Sequence, residues 1–212
     1  MRLRDHAYSN FTEKLLARDI KPGQILSQRE LVELTGRSLG AIREMIPRLE
    51  ADGLIKTVPK RGLQVLSVDI ELVRNAFQLR SIIETEAISN FCRLASSSEI
   101  EKIDQDHQKL KALAGQGMSD DALKKAQKTD WDFHDMIVDR LENKIISDIY
   151  RVNMIKIRLI RNSKTSIYPD LLSSVLDEHF AIIEALISRD VGAAVFTLQT
   201  HINSARKRAL NV

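Results

Sequence analysis

Cys92 is the only cysteine in 212 residues. A lone thiol excludes an internal disulfide framework and any zinc site built from several thiolates. No apolar run reaches the length of a membrane span, and the start, Met1-Arg2-Leu3-Arg4-Asp5-His6, lacks the apolar stretch of a secretory signal. Internal repeats and low-complexity tracts are missing as well. Neither sign of charge dominates: 32 Lys and Arg stand against 29 Asp and Glu, which excludes a histone-like polycation. These absences leave a soluble protein, expected in the reducing cytoplasm and not in a membrane.

At 43% hydrophobic residues the chain is long enough for one large or two modest cores. The charge is uneven along it. Lys and Arg outnumber Asp and Glu over residues 1–66, and the balance reverses slightly beyond. A basic bias confined to one end is the footprint expected of a phosphate-binding domain.

That end reads helix, helix, helix, then two strands. Ala7 to Arg18 is amphipathic through Phe11, Leu15 and Leu16, and Lys21-Pro22-Gly23 makes a turn. Ser27 and Glu30 have capping-box spacing before Leu31 and Leu34, and Gly36 breaks that second helix. Ser38 caps a third, with Ile42, Ile46 and Leu49 inward and Gly53 at its end. Leu54–Val58 and Leu63–Val68 are strand-like around the tip Pro59-Lys60-Arg61-Gly62. A helix-turn-helix followed by a β-hairpin is a winged helix, predicted over residues 1–68.

From Asp69 onward no strand pattern appears. Helices are expected from Asp69 to Arg93, after a capping box at Ser98 and Glu101, after Ser119, and over Lys144–Arg161, Pro169–Ser188 and Val191–Leu210. Gly115 and Gly117 end one of them, and Ser163-Lys164-Thr165-Ser166 makes a loop. Six helices with short connections form an antiparallel bundle over residues 69–212. The fold class is therefore mainly α: an N-terminal winged helix-turn-helix and a C-terminal all-α bundle.

Each half carries candidate chemistry. Arg43 lies opposite Ile42 and Ile46 near the start of the third helix, where a recognition helix reaches base edges. Arg29, Arg37 and Ser38 suit phosphates or the groove edge, and Lys60 and Arg61 at the wing tip suit a minor groove or the flanking backbone, with Gly62 allowing close approach. Any one of these arginines alone is better read as solvated surface; together, in this topology, they point to double-stranded DNA.

In the bundle, Asp130 and His134 share one helix face by their D-x3-H spacing, and His179 and His201 interrupt apolar stripes on later helices. Burying four such groups without partners costs several kcal/mol each, whereas one carboxylate and three imidazoles suit a divalent transition metal. One ion per chain is expected, zinc first, with nickel, manganese or iron also compatible. Taken singly, His179 or His201 reads better as a satisfied core histidine. Arg80 falls in the stripe Val73, Phe77, Arg80, Ile83, Ala87, which leaves two accounts: a pair with Glu84 one turn on, or a clamp for a ligand carboxylate. Arg158 and Asn203 are weaker pocket candidates. His107 lies near an apolar helix side but receives no role, and His6 reads as solvent-facing.

The string Lys21-Pro22-Gly23, Gln28-Arg29-Glu30-Leu31, Ser38, Arg43-Glu44, Arg48-Leu49-Glu50, Asp52-Gly53-Leu54 and Arg61-Gly62 resembles the GntR family of bacterial regulators. The later half resembles the FadR-type subgroup with an all-helical FCD domain, in its metal-binding branch. The resemblance implies a homodimeric repressor or activator, a palindromic operator and a small organic acid effector, and it favours the clamp account of Arg80. Leu39 and Ala41 stand where the family often has Arg and Pro, so the operator does not follow from relatives. Pro47 removes a helical hydrogen bond just past the reading residues, and a kink or an early tightening is expected there. The rival reading is a metal-dependent hydrolase using the same three histidines and aspartate, although no general base is clearly placed.

Overall fold

The computed structural model describes residues 3–114, 119–164 and 169–210. Two compact units emerge: residues 1–73 with 154–163, and residues 74–153 with 164–212.

The first unit contains α1 (Leu3–Leu16), β1 (Ile25–Leu26), α2 (Gln28–Thr35), α3 (Leu39–Ala51), β2 (Ile55–Val58) and β3 (Gly62–Val65). Phe11 and Leu15 of α1, Leu31 of α2 and Ile42, Met45 and Leu49 of α3 bury together in its core. The capping box at Ser27 and Glu30 forms in both directions, and Gly36 ends α2 in the left-handed conformation, its N–H donating to Val32 O. Ser38 caps α3 by accepting from Ala41 N at 3.3 Å. The helix is continuous through Pro47, whose ring is exposed. Leu159 joins this core with Ile155 beside it, because residues 154–163 belong to this unit.

The sheet differs from expectation. Three strands pair antiparallel in the order β1-β3-β2, the added strand being only two residues long. A two-residue strand has no alternation to read, so pattern cannot reveal it. Its register sets Leu26 opposite Leu63, which brings the Leu26 carbonyl against Gly62. A Cβ at Gly62 would lie 2.7 Å from that oxygen, and the residue sits at φ 119°. Packing inside the sheet is thus sufficient reason for glycine at the wing.

Part of the GntR-like string has structural work. Arg48 stacks over the Tyr8 ring at 4.0 Å, and the Tyr8 hydroxyl donates to Asp52 at 2.7 Å, fastening α1 to α3. Glu50 accepts from both the backbone N–H (3.0 Å) and the hydroxyl (2.7 Å) of Thr57, fastening α3 to β2.

Among its described residues the second unit is built on helices alone: α4 (Ile70–Leu94, of which 70–73 belong to the first unit), α5 (Ser97–Ala114), α6 (Asp120–Asp139), α7 (Lys144–Lys164, of which 154–163 belong to the first unit), α8 (Pro169–Ile187) and α9 (Val191–Leu210). Asp69 caps α4 by accepting from Leu72 N at 2.7 Å. The box at α5 is two residues earlier than expected: Ser96 and Glu99 exchange both hydrogen bonds. Ser96-x-x-Glu99 and Ser98-x-x-Glu101 match the motif equally, and the earlier pair wins because Ala95, just outside it, is buried. Ser163 and Lys164 continue α7 instead of starting a loop, while Gly115, Gly117, Thr165 and Ser166 lie outside the described residues. Helix α8 packs against α5 and α9, and α5 against α6, around Leu110, Ala126, Leu172 and Leu176.

Gly62→Ala should lower the free energy of unfolding by about 1–3 kcal/mol, since left-handed strain adds to a clash with fixed backbone. Gly40→Ala, on α3 with open space around its Cβ position, should be neutral or stabilising by up to about 1 kcal/mol. Urea unfolding of both variants checks the contrast, and equal midpoints would contradict it.

Candidate metal centre and nucleic-acid interface

Asp130 and His134 come from α6, His179 from α8 and His201 from α9, and all four are buried. One ligand atom from each lies within 4.8 Å of the others. The imidazoles meet through Nε2: those of His134 and His201 are 3.2 Å apart, and His179 Nε2 is 3.4 Å from Asp130 Oδ1.

Each Nδ1 is spoken for on the outside. His134 Nδ1 lies 2.7 Å from Glu84 Oε2, and His201 Nδ1 lies 2.7 Å from Glu178 Oε2. A carboxylate accepts, so both Nδ1 atoms carry hydrogen and both Nε2 atoms present lone pairs. His179 Nδ1 meets His107 Nε2 at 2.9 Å, and His107 Nδ1 meets the Ile103 carbonyl at 2.8 Å. Two lone pairs facing at 3.2 Å repel unless a cation lies between them. Two donors about 2.05 Å from a tetrahedral zinc would be roughly 3.3 Å apart, close to both short edges of the cluster. The donor set therefore fits a divalent metal.

Burial sets the charge states. It pushes His134, His179 and His201 down to about 4 despite nearby carboxylates, so all three are neutral near pH 7. Burial raises the Glu84 carboxyl, but Arg80, His134 and Tyr150 more than offset this and hold it at about 2. Glu178 is likewise held at about 2, its burial outweighed by His201 and Arg208.

Arg80 is fully buried, and its Nε donates to Glu84 Oε1 at 2.7 Å. The Arg80–Glu84 pair therefore exists. It occupies only one edge of the guanidinium, and the two terminal nitrogens make no hydrogen bond among the described residues. Asn203 is exposed, because a residue two positions from His201 on a helix points about 200° away. Arg158 belongs to the first unit with residues 154–163. Sequence reasoning missed the outer partners. His107 sits at a core spacing in Ile100, Ile103, His107 and Leu110, and Arg208 follows His201 by two turns on one face, so both carried a signal. Tyr150, buried and donating to Glu84 at 2.7 Å, carried none.

In the first unit Arg29, Ser38, Arg43, Lys60 and Arg61 are exposed, and Arg37 and Gly62 are half-buried. Arg43 Nε donates to Gln28 Oε1 at 3.1 Å, bracing the exposed arginine of α3 against the start of α2.

A winged helix-turn-helix joined in one chain to a helical unit is the organisation of a DNA-binding regulator. Residues 75–204 match the FCD domain, and residues 3–65 match the bacterial regulatory proteins of the gntR family. The chain belongs to the GntR family of transcriptional regulators, in the branch carrying an FCD domain, and this removes the hydrolase reading. It is 22% identical over 194 residues to the "Probable HTH-type transcriptional regulator LgoR" of Escherichia coli K12, covering 90% of this chain and 62% of that protein. It is 25% identical over 198 residues to the HTH-type transcriptional repressor RspR of the same strain, covering 89% and 83%. The fold is similar to that of E. coli McbR/YncC, with a TM-score of 0.81, 16% identity and coverage of 100% and 98%. No helix among the described residues is long and apolar enough to cross a membrane.

The imidazoles give a pH signature. Folded values near 4 against an ordinary 6.5 mean that the unfolded chain binds more protons between those limits, so stability falls as pH drops through that window. Each imidazole contributes a slope of up to about 1.4 kcal/mol per pH unit. Melting in the presence of a chelator should show Tm dropping steadily from pH 6.5 to pH 4, and a flat profile would contradict the burial of neutral imidazoles.

Proposed function

We propose that this regulator is a homodimeric repressor whose FCD domain holds one divalent metal, zinc foremost, at Asp130, His134, His179 and His201, and that a small carboxylate effector bound beside it controls operator affinity. The observation that carries the effector half is Arg80. A fully buried guanidinium with Nε committed to Glu84 offers its two terminal nitrogens as a planar fork, the shape that grips a carboxylate through two bonds. Arg80 shares Glu84 with His134, so this fork lies beside the cluster. A bound metal would supply Lewis-acid attraction for one carboxylate oxygen, while Arg80 would orient the effector.

On the DNA side, Arg43 would read base edges from α3, and Arg29, Arg37 and Ser38 would hold phosphates. Ser38 still has its O–H to donate after capping α3. Lys60 and Arg61, flanking the wing turn with Lys60 at φ 62°, would contact the minor groove or flanking backbone, with Gly62 shaping the wing. Leu39 is exposed at the start of α3, where it would offer a thymine methyl group an apolar contact. Dimerisation would place two such readers on a palindrome.

Metal analysis and calorimetry test the sensor half. Protein supplemented with zinc should carry close to one ion per chain, and His201→Ala should lose most of it. Arg80→Ala should keep the metal yet lose response to every acid, from a panel of small hydroxy and oxo acids, that weakens operator binding by wild type. An undiminished response in Arg80→Ala would end the clamp reading.

Arg43→Ala tests the reader half. On duplexes selected from a random pool it should lose about 1–3 kcal/mol per half-site while binding scrambled DNA as before. Equal losses on both would make Arg43 a phosphate contact.

A further inference from the structure

His107 is the one imidazole of the cluster region with no place in the metal pattern, yet it is 2% exposed and fixed on every side. Its ring meets Phe133 edge-on, with centroids 5.5 Å apart and planes at 82°, and Phe180 at 6.2 Å and 71°. Its Nδ1 lies 2.8 Å from the Ile103 carbonyl, which can only accept, so Nδ1 carries the hydrogen. A buried imidazole bonded to a carbonyl and to another imidazole is neutral, which leaves Nε2 as a lone pair. That lone pair is 2.9 Å from His179 Nδ1. Nδ1 of His179 must therefore donate, and the His179 lone pair is placed on Nε2, facing Asp130 Oδ1. The whole chain of assignments starts from one backbone carbonyl.

We propose that His107 is a positioning residue of the metal centre: it accepts the Nδ1 hydrogen of His179, fixes that ligand in the tautomer and orientation needed for coordination, and ties α5, which supplies no ligand, to the metal. This rests on the metal reading given above. The three ligands are then held differently. His134 and His201 lean on carboxylates, which make an imidazole more electron-rich, whereas His179 leans on a neutral ring. His179 is accordingly the least electron-rich of the three.

Asparagine and glutamine separate positioning from packing, because the Asn amide reaches only the place of Nδ1 and the Gln amide reaches that of Nε2. Zinc affinity is measured by competition with a chromogenic chelator on wild type, His107→Asn and His107→Gln, together with Tm in excess chelator. His107→Asn should bind zinc about 10–100-fold more weakly, and His107→Gln should stay within a few-fold of wild type. Long-range proton–nitrogen NMR of the chelator-treated proteins should find His179 in its Nδ1–H form in wild type and His107→Gln, and in mixed forms in His107→Asn. Should His107→Asn prove too unstable to titrate, a His107→Gln protein that folds but binds zinc as weakly as His179→Ala would overturn the proposal. It would be overturned equally by unchanged zinc affinity in His107→Asn. A wild type that binds no zinc would sink the metal reading itself, a result distinct from either.

Discussion

The Glu84 carboxylate is the group on which the helical unit depends. It has no solvent exposure, and three elements converge on it: Arg80 from its own helix, Tyr150 from α7 and His134 from α6. Burying one carboxylate uncompensated costs several kcal/mol. Arg80 supplies the charge, Tyr150 donates to Oε1, and His134 Nδ1 lies 2.7 Å from Oε2. The pair is neutral as a whole, so the interior tolerates it, but removing either charge would strand the other. Such an arrangement contributes less to stability than to definition, because few relative placements of α4, α6 and α7 keep all three contacts.

From Glu84 the logic passes outward to inward. Each imidazole has two nitrogens, and the protein occupies the outer one in every case, with Glu84 for His134, Glu178 for His201 and His107 for His179. Glu178 is itself gripped by two nitrogens of Arg208, at 3.0 and 3.2 Å. The inner nitrogens are thereby compelled to present lone pairs to one another. Core histidines that only fill space have no reason to share this polarity. A structural histidine pairs lone pair with hydrogen, as His107 and His179 do, whereas His134 and His201 face lone pair to lone pair.

Some of this was legible in the sequence and some was not, for physical reasons. Capping residues, the Gly36 stop and the apolar stripes act locally, so α2, α3 and six later helices could be read from spacing. The four candidate ligands could be read too, because polar residues at stripe positions violate the helical pattern. Their outer partners were less visible. Glu178 precedes His179 and looks like an ordinary surface acid, and Tyr150 fits an apolar stripe without breaking it. His107 broke its stripe, but spacing alone gives a histidine no partner 72 positions away. Asn203, two positions from His201, is turned to solvent by helix geometry. The β1 strand and the Gly62–Leu26 approach are tertiary facts with no local signal.

Complete burial has a consequence for control. Asp130, His134, His179, His201 and Arg80 are each no more than 3% exposed. With these side chains buried among the described residues, a carboxylate effector of the kind proposed would reach Arg80 by a separation of helices. Its binding would then be linked to an opening equilibrium, and its differential affinity for the opened and closed forms would be the free energy available to change DNA binding. A coupling of about 1–3 kcal/mol corresponds to a change of roughly 5–150-fold in operator affinity. Arg80 gives that differential a physical origin. Its terminal nitrogens make no hydrogen bond among the described residues, so a carboxylate that paired with them would gain more than it would from a guanidinium already satisfied. The incomplete satisfaction of one buried side chain would then serve as the reserve of free energy from which a switch draws.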